Sequence, residues 1–522
     1  MIRRKRRKER PPRPAEPRNQ DRRPPRDWQW WIVAAAIPLA LCASRLNLDL
    51  WYDEAYTLDV FVSQPWVKIA SDYSAPNNHV LYSLLLRPVY LASDSEFFLR
   101  LPSFAFTVGT LWFVFRLTRR WAGLPAGALA TLFLGLTQMF LIHTMEVRGY
   151  GLSMFLGAWL GDLALAESRV ETSGVRSQES GLWALDSRLL TIAVVGAAFL
   201  YVLPSNLLFF IPLATVALVW TAVRDRVVRS TLRESAAWGG ALLLAGLVYL
   251  PIGEQVLAAG GGQAGASLSS LVSLASRVFS TATRDWLPVL PLAALGLAWW
   301  AQEAIRRPSR GQVGLPLLTA AMLVGPFCLT GLVGILPFER NYCPLLPFLA
   351  VAVGWLMAEL IGAAGRLVRL GWSDTVTALV GMALLAGVAL PRIWTYPARL
   401  AEERLGRFAQ DGYYNYYAAD FHPSEAVSYL KEAIGPNEPY RICFADADHF
   451  PLWHYFRREG MPLERTGESP TGAPTTVVHL IAPAPADYEA LSAKSGISVE
   501  ALRRLPPVKD FGYYRLYRSP PE

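Results

Sequence analysis

Long apolar runs almost free of charge recur along this chain and restrict its possible folds more than any other feature. A segment needs roughly 20 apolar residues to cross a bilayer, and inside lipid its backbone must satisfy its own hydrogen bonds, as a helix does. Charged residues make up only 18% of the 522 residues, against about a quarter in soluble proteins. This balance excludes a soluble enzyme, a disordered chain and a disulfide-rich secreted domain.

The runs predict eleven transmembrane helices. They lie near residues 29–46, 99–117, 121–142, 149–166, 189–204, 205–223, 235–252, 286–304, 314–336, 342–362 and 374–393. The predicted fold class is therefore an α-helical polytopic membrane protein with about eleven transmembrane helices.

A shorter apolar run at 79–92, HVLYSLLLRPVYLA, decides the predicted orientation. It contains Arg87 and Pro88 and is too short to span comfortably. If it lies flat on the outer surface, the basic segments 116–121 and 224–233 fall on the cytoplasmic side together with the N-terminus, as the positive-inside rule requires. If it crosses the bilayer, those segments face outward. We therefore expect an amphipathic outer helix at 79–92 in a multi-pass protein of the plasma (inner) membrane.

The two ends of the chain differ in composition from the apolar region between them. Residues 1–26 hold twelve Lys or Arg and three acidic residues, so the net charge of +8 comes from this segment. We expect a disordered cytoplasmic tail over 1–27 that lies near anionic lipid, and no nucleic-acid partner. Residues 28–394 then form the transmembrane domain, with a long outer loop at 47–98. Alternating strand-like and helix-like runs over 395–522 predict a small extracytoplasmic α/β domain.

Two adjacent carboxylates follow the first predicted span. Asp53 and Glu54 lie in the sequence NLDLWYDEAYT. Carboxylates beside a hydrocarbon boundary cost desolvation energy, and one of them can act as a general base on an alcohol. The competing interpretation is an ordinary helix start, because acidic residues favour the first turn of a helix. Spacing alone leaves both open.

Cationic side chains mark the same predicted outer face. Arg100, Arg148 and Arg340 each lie at the outer end of a predicted span. A guanidinium group there can bind phosphate through its bidentate fork, or it can extend to lipid headgroups. His79, at the start of the 79–92 run, can bind phosphate, share a proton or serve the structure alone.

Several of these residues belong to motifs in a familiar order. The segments are WYDEAYT (51–57), NNHVLYSLLL (77–86), SEFFLRLPS (95–103), MEVRGYGLSMFLGAWL (145–160) and, more weakly, ERNYCPLLPFLAVAVGWL (339–356). Together they resemble bacterial PMT-like glycosyltransferases, which belong to the GT-C superfamily with protein O-mannosyltransferases and the lipid A aminoarabinose transferase. The resemblance implies a GT-C type transmembrane domain with its active site in the outer loop 47–98.

The resemblance also implies an activity. It is the inverting transfer of a sugar from a polyprenyl-phosphate donor to a hydroxyl of an envelope glycan, lipid or protein at the outer face. The family's first-loop base corresponds to Asp53, with Glu54 beside it, and His79 corresponds to a position near the lipid phosphate. The other predicted phosphate ligands are Arg100, Arg148 and Arg340, and a divalent metal, Mg²⁺ or Mn²⁺, is an alternative stabiliser of the leaving phosphate. The predicted substrate-binding residues are Tyr56, Asn78, Tyr82, Glu146, Tyr150 and Tyr342.

Two other functions stay open at this point. Paired carboxylates and arginines inside a membrane also occur in transporters, so a flippase for polyprenyl lipids or a small-solute transporter is the main alternative. Transporters place their charges near the bilayer midplane, often within inverted repeats. Here the charges gather at one predicted face and the sequence shows no repeat. A non-catalytic scaffold for envelope assembly is the third possibility.

Overall fold

A computed structural model describes most of the chain. The described residues are 27–166, 187–261, 267–306, 313–394, 421–434, 440–444, 450–461, 477–483 and 487–519. The predicted tail over 1–27 and the first residues of the predicted C-terminal domain, 395–420, fall almost wholly outside these ranges, so both domain boundaries stay predictions.

Helices make up nearly all of the membrane region. The α-helices there are Asp27–Ala43, Tyr52–Tyr56, Trp66–Ser71, Val80–Ala92, Glu96–Leu136, Gln138–His143, Tyr150–Ala164, Ser187–Val202, Leu207–Asp225, Val228–Tyr249, Gly253–Gly261, Leu268–Thr283, Leu290–Arg306, Gly314–Val333, Leu346–Leu367 and Asp374–Trp394. Short 3₁₀ helices lie at Pro204–Asn206, Leu250–Ile252, Arg284–Trp286 and Glu339–Leu345, and a π-helix lies at Thr57–Val62.

Each predicted span coincides with helical structure. Within the described ranges, six helical segments are long and apolar enough to cross a membrane. They are Glu96–Leu136, Pro204–Asp225, Val228–Ala259, Gly314–Val333, Glu339–Leu367 and Asp374–Trp394. The remaining predicted spans overlap shorter helices, among them Asp27–Ala43 and Ser187–Val202. The polytopic helical fold class is therefore confirmed, while the number of eleven crossings stays a prediction.

The longest helix, Glu96–Leu136, is a hairpin of two helical limbs. Gly123 lies between them with φ 87°, a conformation that only glycine adopts without strain. Gly127 packs against Arg119, and Gly135 approaches Leu111, so contacts pair residues at equal distances on either side of Gly123. This reversal explains why one 41-residue helix corresponds to two predicted spans, 99–117 and 121–142.

The helix Leu346–Leu367 lies at the centre of the bundle. Its buried face packs against the second limb of the hairpin, and Gly354 allows the closest approach. A Cβ atom at Gly354 would lie 2.6 Å from the Cα of Ala130. Gly161 provides a similar fit, since a side chain there would meet the ring of Phe348. Small residues at such crossings let helix backbones approach closely in a membrane.

The predicted outer helix is present at Val80–Ala92. It buries Val80, Tyr82 and Leu86 and exposes Leu85 and Leu91. It has 13 residues, so it is too short to cross a bilayer upright. Its position on the outer surface stays a prediction, which rests on the distribution of the basic loops.

A four-stranded sheet confirms the small C-terminal α/β unit. The strands are β1 (Tyr440–Phe444), β2 (Val477–Pro483), β3 (Pro507–Phe511) and β4 (Tyr514–Ser519), in the order β1-β2-β4-β3. β1 and β2 are parallel, with Ile442 opposite His479, and the other pairs are antiparallel. The accompanying helices are Pro423–Ala433, Phe450–Arg458, Tyr488–Ser495 and Val499–Arg504. Its placement outside the cytoplasm is a prediction.

Candidate active site

The outer loop turns into a short helix, Tyr52–Tyr56, at its acidic pair. The helix begins after Trp51, whose backbone N–H donates to Glu54 Oε2 at 3.1 Å, as in a capping box. Consecutive residues of a helix point about 100° apart because a turn holds 3.6 residues. Asp53 and Glu54 therefore enter two different environments, although they are neighbours in the sequence.

Asp53 is shared by two arginines. Arg148 Nη1 donates to Asp53 Oδ2 at 2.7 Å and Arg340 Nη1 donates to the same oxygen at 2.6 Å. Asn77 Nδ2 donates to the other oxygen, Oδ1, at 2.9 Å. We call Asp53, Arg148 and Arg340 the arginine clamp. Burial raises the pKa of Asp53, but the two guanidinium groups and the Asn77 amide outweigh it and hold the pKa below its usual value.

His79 lies beside the clamp as a neutral hydrogen-bond donor. The backbone N–H of Gly149 donates to His79 Nδ1 at 2.7 Å, which leaves the ring proton on Nε2. Burial, together with Arg148 and Arg340, lowers the pKa of His79 well below its usual value, so the ring is uncharged. Nε2 lies 3.3 Å from Arg148 Nη2, which cannot accept its proton. Gly149 is required here because a Cβ atom would lie 2.9 Å from the His79 ring.

Glu54 points about 100° away from Asp53 around the short helix and is fully buried. The backbone N–H of Val147 donates to Glu54 Oε1 at 2.7 Å, and Arg100 Nη2 donates to Oε2 at 2.9 Å. Arg100 also donates to the backbone carbonyls of Leu48 and Asp49. We call Glu54 and Arg100 the buried ion pair. It joins the outer loop, the first limb of the hairpin and the turn that carries Arg148.

A cavity of about 400 Å³ opens beside the clamp. Arg148, Arg340, Asn77 and Tyr150 form its polar side. The guanidinium of Arg148 lies 5.1 Å from the centre of the Tyr150 ring, a cation–π distance. The remaining walls are largely apolar and include Leu203, Leu207, Leu208, Val256, Leu257, Val333, Ile335 and Phe338. The cavity therefore combines two cations with a long apolar surface.

The other predicted substrate-binding residues do not line this cavity. Tyr82 shares a 2.7 Å hydrogen bond with Ser103, and both are buried. Tyr342 shares one of 2.5 Å with Thr330. Asn78 holds the turn before His79 by donating to two backbone carbonyls.

Tyr56 and Glu146 are also held by neighbouring side chains. The Tyr56 ring packs on Phe450 with a centroid separation of 4.7 Å. Glu146 Oε1 lies 3.0 Å from His143 Nδ1. Sequence reasoning overlooked Asn77, which contacts Asp53. Its neighbour Asn78 has the same side chain, and nothing local distinguishes the two.

Over the described ranges, no group of three or more His, Cys, Asp or Glu side chains is arranged to hold a metal ion. The Asp53 oxygens that would ligate a cation instead accept hydrogen bonds from Arg148, Arg340 and Asn77. The predicted Mg²⁺ or Mn²⁺ therefore stays a hypothesis, without a ligand set among these residues.

The C-terminal unit packs directly on the outer loop. Tyr455 accepts a hydrogen bond from the backbone N–H of Leu50 and donates one to Glu96, both at 2.8 Å. His454 Nδ1 lies 2.8 Å from Asp59 Oδ1. These contacts place the helix Phe450–Arg458 behind the short helix that carries Asp53, a docking that the sequence did not predict.

Comparison with known proteins supports the fold. Neither a family model nor a curated protein matches the sequence. Among solved structures, ArnT from Cupriavidus metallidurans bound to undecaprenyl phosphate is similar, with a TM-score of 0.53 at 14% identity, over 94% of this chain and 98% of that chain. ArnT in the apo state has the same TM-score and coverage at 13% identity. The similarity to an oligosaccharyltransferase from Archaeoglobus fulgidus is weaker, with a TM-score of 0.44. The chain therefore shares the fold of ArnT, in agreement with the transmembrane fold that the resemblance of its motifs implies.

Proposed function

We propose that this protein is an inverting membrane glycosyltransferase, a hexosyl- or pentosyltransferase. It moves a sugar from a polyprenyl-phosphate donor to a hydroxyl of an envelope glycan, lipid or protein at the outer face. The observation that carries this proposal is the arginine clamp, which puts two cations on the wall of an apolar cavity and one carboxylate in contact with both of them. ArnT, which shares the fold, is bound to undecaprenyl phosphate in one of its structures.

The cavity suits the donor's two chemical parts. A polyprenyl chain needs an apolar wall, which leucine, valine and isoleucine side chains supply. A phosphodiester needs cations and hydrogen-bond donors, which Arg148 and Arg340 supply. His79 adds a neutral Nε2–H donor next to Arg148. Tyr150 lines the same cavity and stays a candidate contact for the sugar or the phosphate.

The proposed reaction uses Asp53 as the general base. Asp53 takes the proton from the acceptor hydroxyl while the hydroxyl oxygen attacks the anomeric carbon of the donor. The bond between that carbon and the phosphate oxygen breaks, and polyprenyl phosphate leaves with the bonding electrons. Arg148, Arg340 and His79 stabilise the charge that develops on the leaving phosphate. Attack opposite the leaving group inverts the anomeric configuration.

The buried ion pair has a positioning role in this scheme. Glu54 is fully buried and accepts hydrogen bonds from the backbone N–H of Val147 and from the side chain of Arg100. Neither Glu54 nor Arg100 lines the cavity. Tyr82 and Asn78 brace the same outer loop. We therefore assign the predicted phosphate role to Arg148 and Arg340, which line the cavity, and to His79, whose Nε2 lies 3.3 Å from Arg148 Nη2.

The test is donor turnover by purified protein in lipid nanodiscs. A panel of polyprenyl-phosphate sugars is supplied with envelope extract as acceptor, and release of polyprenyl phosphate is followed. We expect release by wild type and by Asp72→Asn, and release that is slower by roughly 10²–10⁴-fold by Asp53→Asn. Asp72 is the matched control because it lies in the same loop but pairs with the exposed Lys68. Movement of donor lipid across the bilayer without release of polyprenyl phosphate would support the transporter instead.

A further inference from the structure

We infer that the donor phosphate and the Asp53 carboxylate compete for Arg148 and Arg340, so that Asp53 is released only when donor is bound. This inference rests on the proposed function and adds an order of events to it. Its basis is that Asp53 itself occupies the groups that a phosphate would use. Both arginines direct a terminal nitrogen at one oxygen of Asp53, at 2.7 Å and 2.6 Å.

The charges near the cavity explain why Asp53 takes this position. Arg148 is about 1% exposed, and a buried guanidinium charge needs an anion nearby. Glu54 is engaged with Arg100 and with two backbone N–H groups, away from the clamp. Asp53 is thus the carboxylate that balances the clamp before a ligand arrives.

A bound phosphate changes that balance. Its oxygens can take over the guanidinium hydrogen bonds, because phosphate accepts from arginine in the same bidentate fashion as a carboxylate. Asp53 then keeps the hydrogen bond from Asn77, which is made through its other oxygen. Without the two cations its affinity for a proton rises, and it becomes a better base for the acceptor hydroxyl. Asn77 is therefore a positioning residue that holds the released carboxylate in place.

The exchange gives the reaction a direction. Before donor binding, Asp53 is a weak base that faces two arginines, so acceptor alone is not activated. After transfer, Asp53 holds the proton that it took from the acceptor hydroxyl. Once that proton has passed to water, the carboxylate can return to the arginines and displace polyprenyl phosphate. Donor should therefore bind before acceptor, and polyprenyl phosphate should leave last.

The test measures affinity for geranylgeranyl phosphate, a prenyl phosphate without sugar, on the full chain in nanodiscs. Removing a competitor should tighten binding, so we expect Asp53→Asn to bind the probe about tenfold more tightly than wild type. Arg340→Gln should bind it at least tenfold more weakly, and Asp72→Asn should match wild type. Equal or weaker binding by Asp53→Asn would overturn the competition while leaving the proposed function intact. No binding by wild type would instead count against the proposed function.

Loss of the carboxylate leaves two guanidinium groups without their counter-charge, so Asp53→Asn also needs a test of folding. Its thermal unfolding temperature should rise more on adding the probe than that of wild type, because the phosphate replaces the missing anion. If the variant folds only when it is purified with the probe, the rate at which the probe dissociates from it is measured in place of the binding affinity. A rate equal to or faster than that of wild type, or a variant that the probe does not rescue, contradicts the inference.

Discussion

Asp53 and Glu54 are neighbours in the chain but belong to two regions with opposite character. In the arginine clamp, Arg148 and Arg340 line a cavity, and Asp53, which they contact, retains 7% exposure. The buried ion pair has no exposed carboxylate, and its oxygens accept hydrogen bonds from Arg100 and from backbone N–H groups. The first region can exchange its partners with a ligand, whereas the second holds three segments of chain together. A carboxylate paired with arginine thus serves the proposed chemistry at Asp53 and the structure at Glu54.

The largest expected effect is on turnover by Asp53→Asn. The amide keeps the shape of the carboxylate but cannot accept a proton, and general-base catalysis is worth roughly 10²–10⁴-fold. We expect kcat to fall by about that factor while the protein stays folded, measured by release of polyprenyl phosphate. Normal turnover by this variant would contradict the assignment of Asp53 as the general base.

Glu54→Gln should act on stability. Removing one partner of a buried ion pair costs about 3–5 kcal/mol, because the other charge stays buried. We expect the thermal unfolding temperature to fall sharply, and the double variant Glu54→Gln, Arg100→Gln to lose less than the sum of the single losses. A Glu54→Gln protein with unchanged stability and no turnover would place Glu54 in the chemistry and break the distinction.

Tyr455→Phe tests how firmly the C-terminal unit is docked on the loop. The change removes the hydroxyl that links Leu50 and Glu96, at a cost of about 1–2 kcal/mol. We expect a moderate loss of thermal stability and faster proteolysis within the C-terminal unit. Stability equal to wild type would show that packing by Phe450, rather than this hydroxyl, holds the interface.

The smallest effect concerns acid stability. Because the pKa of Asp53 is lower in the folded protein than in the unfolded chain, its contribution to the free energy of unfolding is full above its ordinary pKa, about 3.9. The contribution is lost as the pH falls through the lowered value. Wild type should therefore lose this part of its stability only in strong acid, and Asp53→Asn should lack that step in thermal unfolding measured against pH.

Much of the fold follows from short-range features of the sequence. Apolar runs of span length predicted the helices, and the strand-like runs YRICFA (440–445), TTVVHLIA (475–482) and YYRLYRS (513–519) predicted β1, β2 and β4. β3, Pro507–Phe511, escaped prediction because its exposed residues and proline show no apolar alternation. The hairpin at Gly123 was implicit in two adjacent predicted spans, but its tight reversal depends on a backbone angle that composition does not reveal.

The sequence by itself determined a polytopic helical protein with an acidic pair in the loop 47–98 and arginines near the ends of helices. Those properties depend on hydrophobicity and local spacing. Only the tertiary structure decided which carboxylate meets which cation, because Asp53 is 95 residues from Arg148 and 287 from Arg340 along the chain. Helix packing brings these distant side chains together, and a one-residue step around the short helix separates Asp53 from Glu54. The physical reason is that ion pairs act over a few ångströms in space, which sequence distance does not measure.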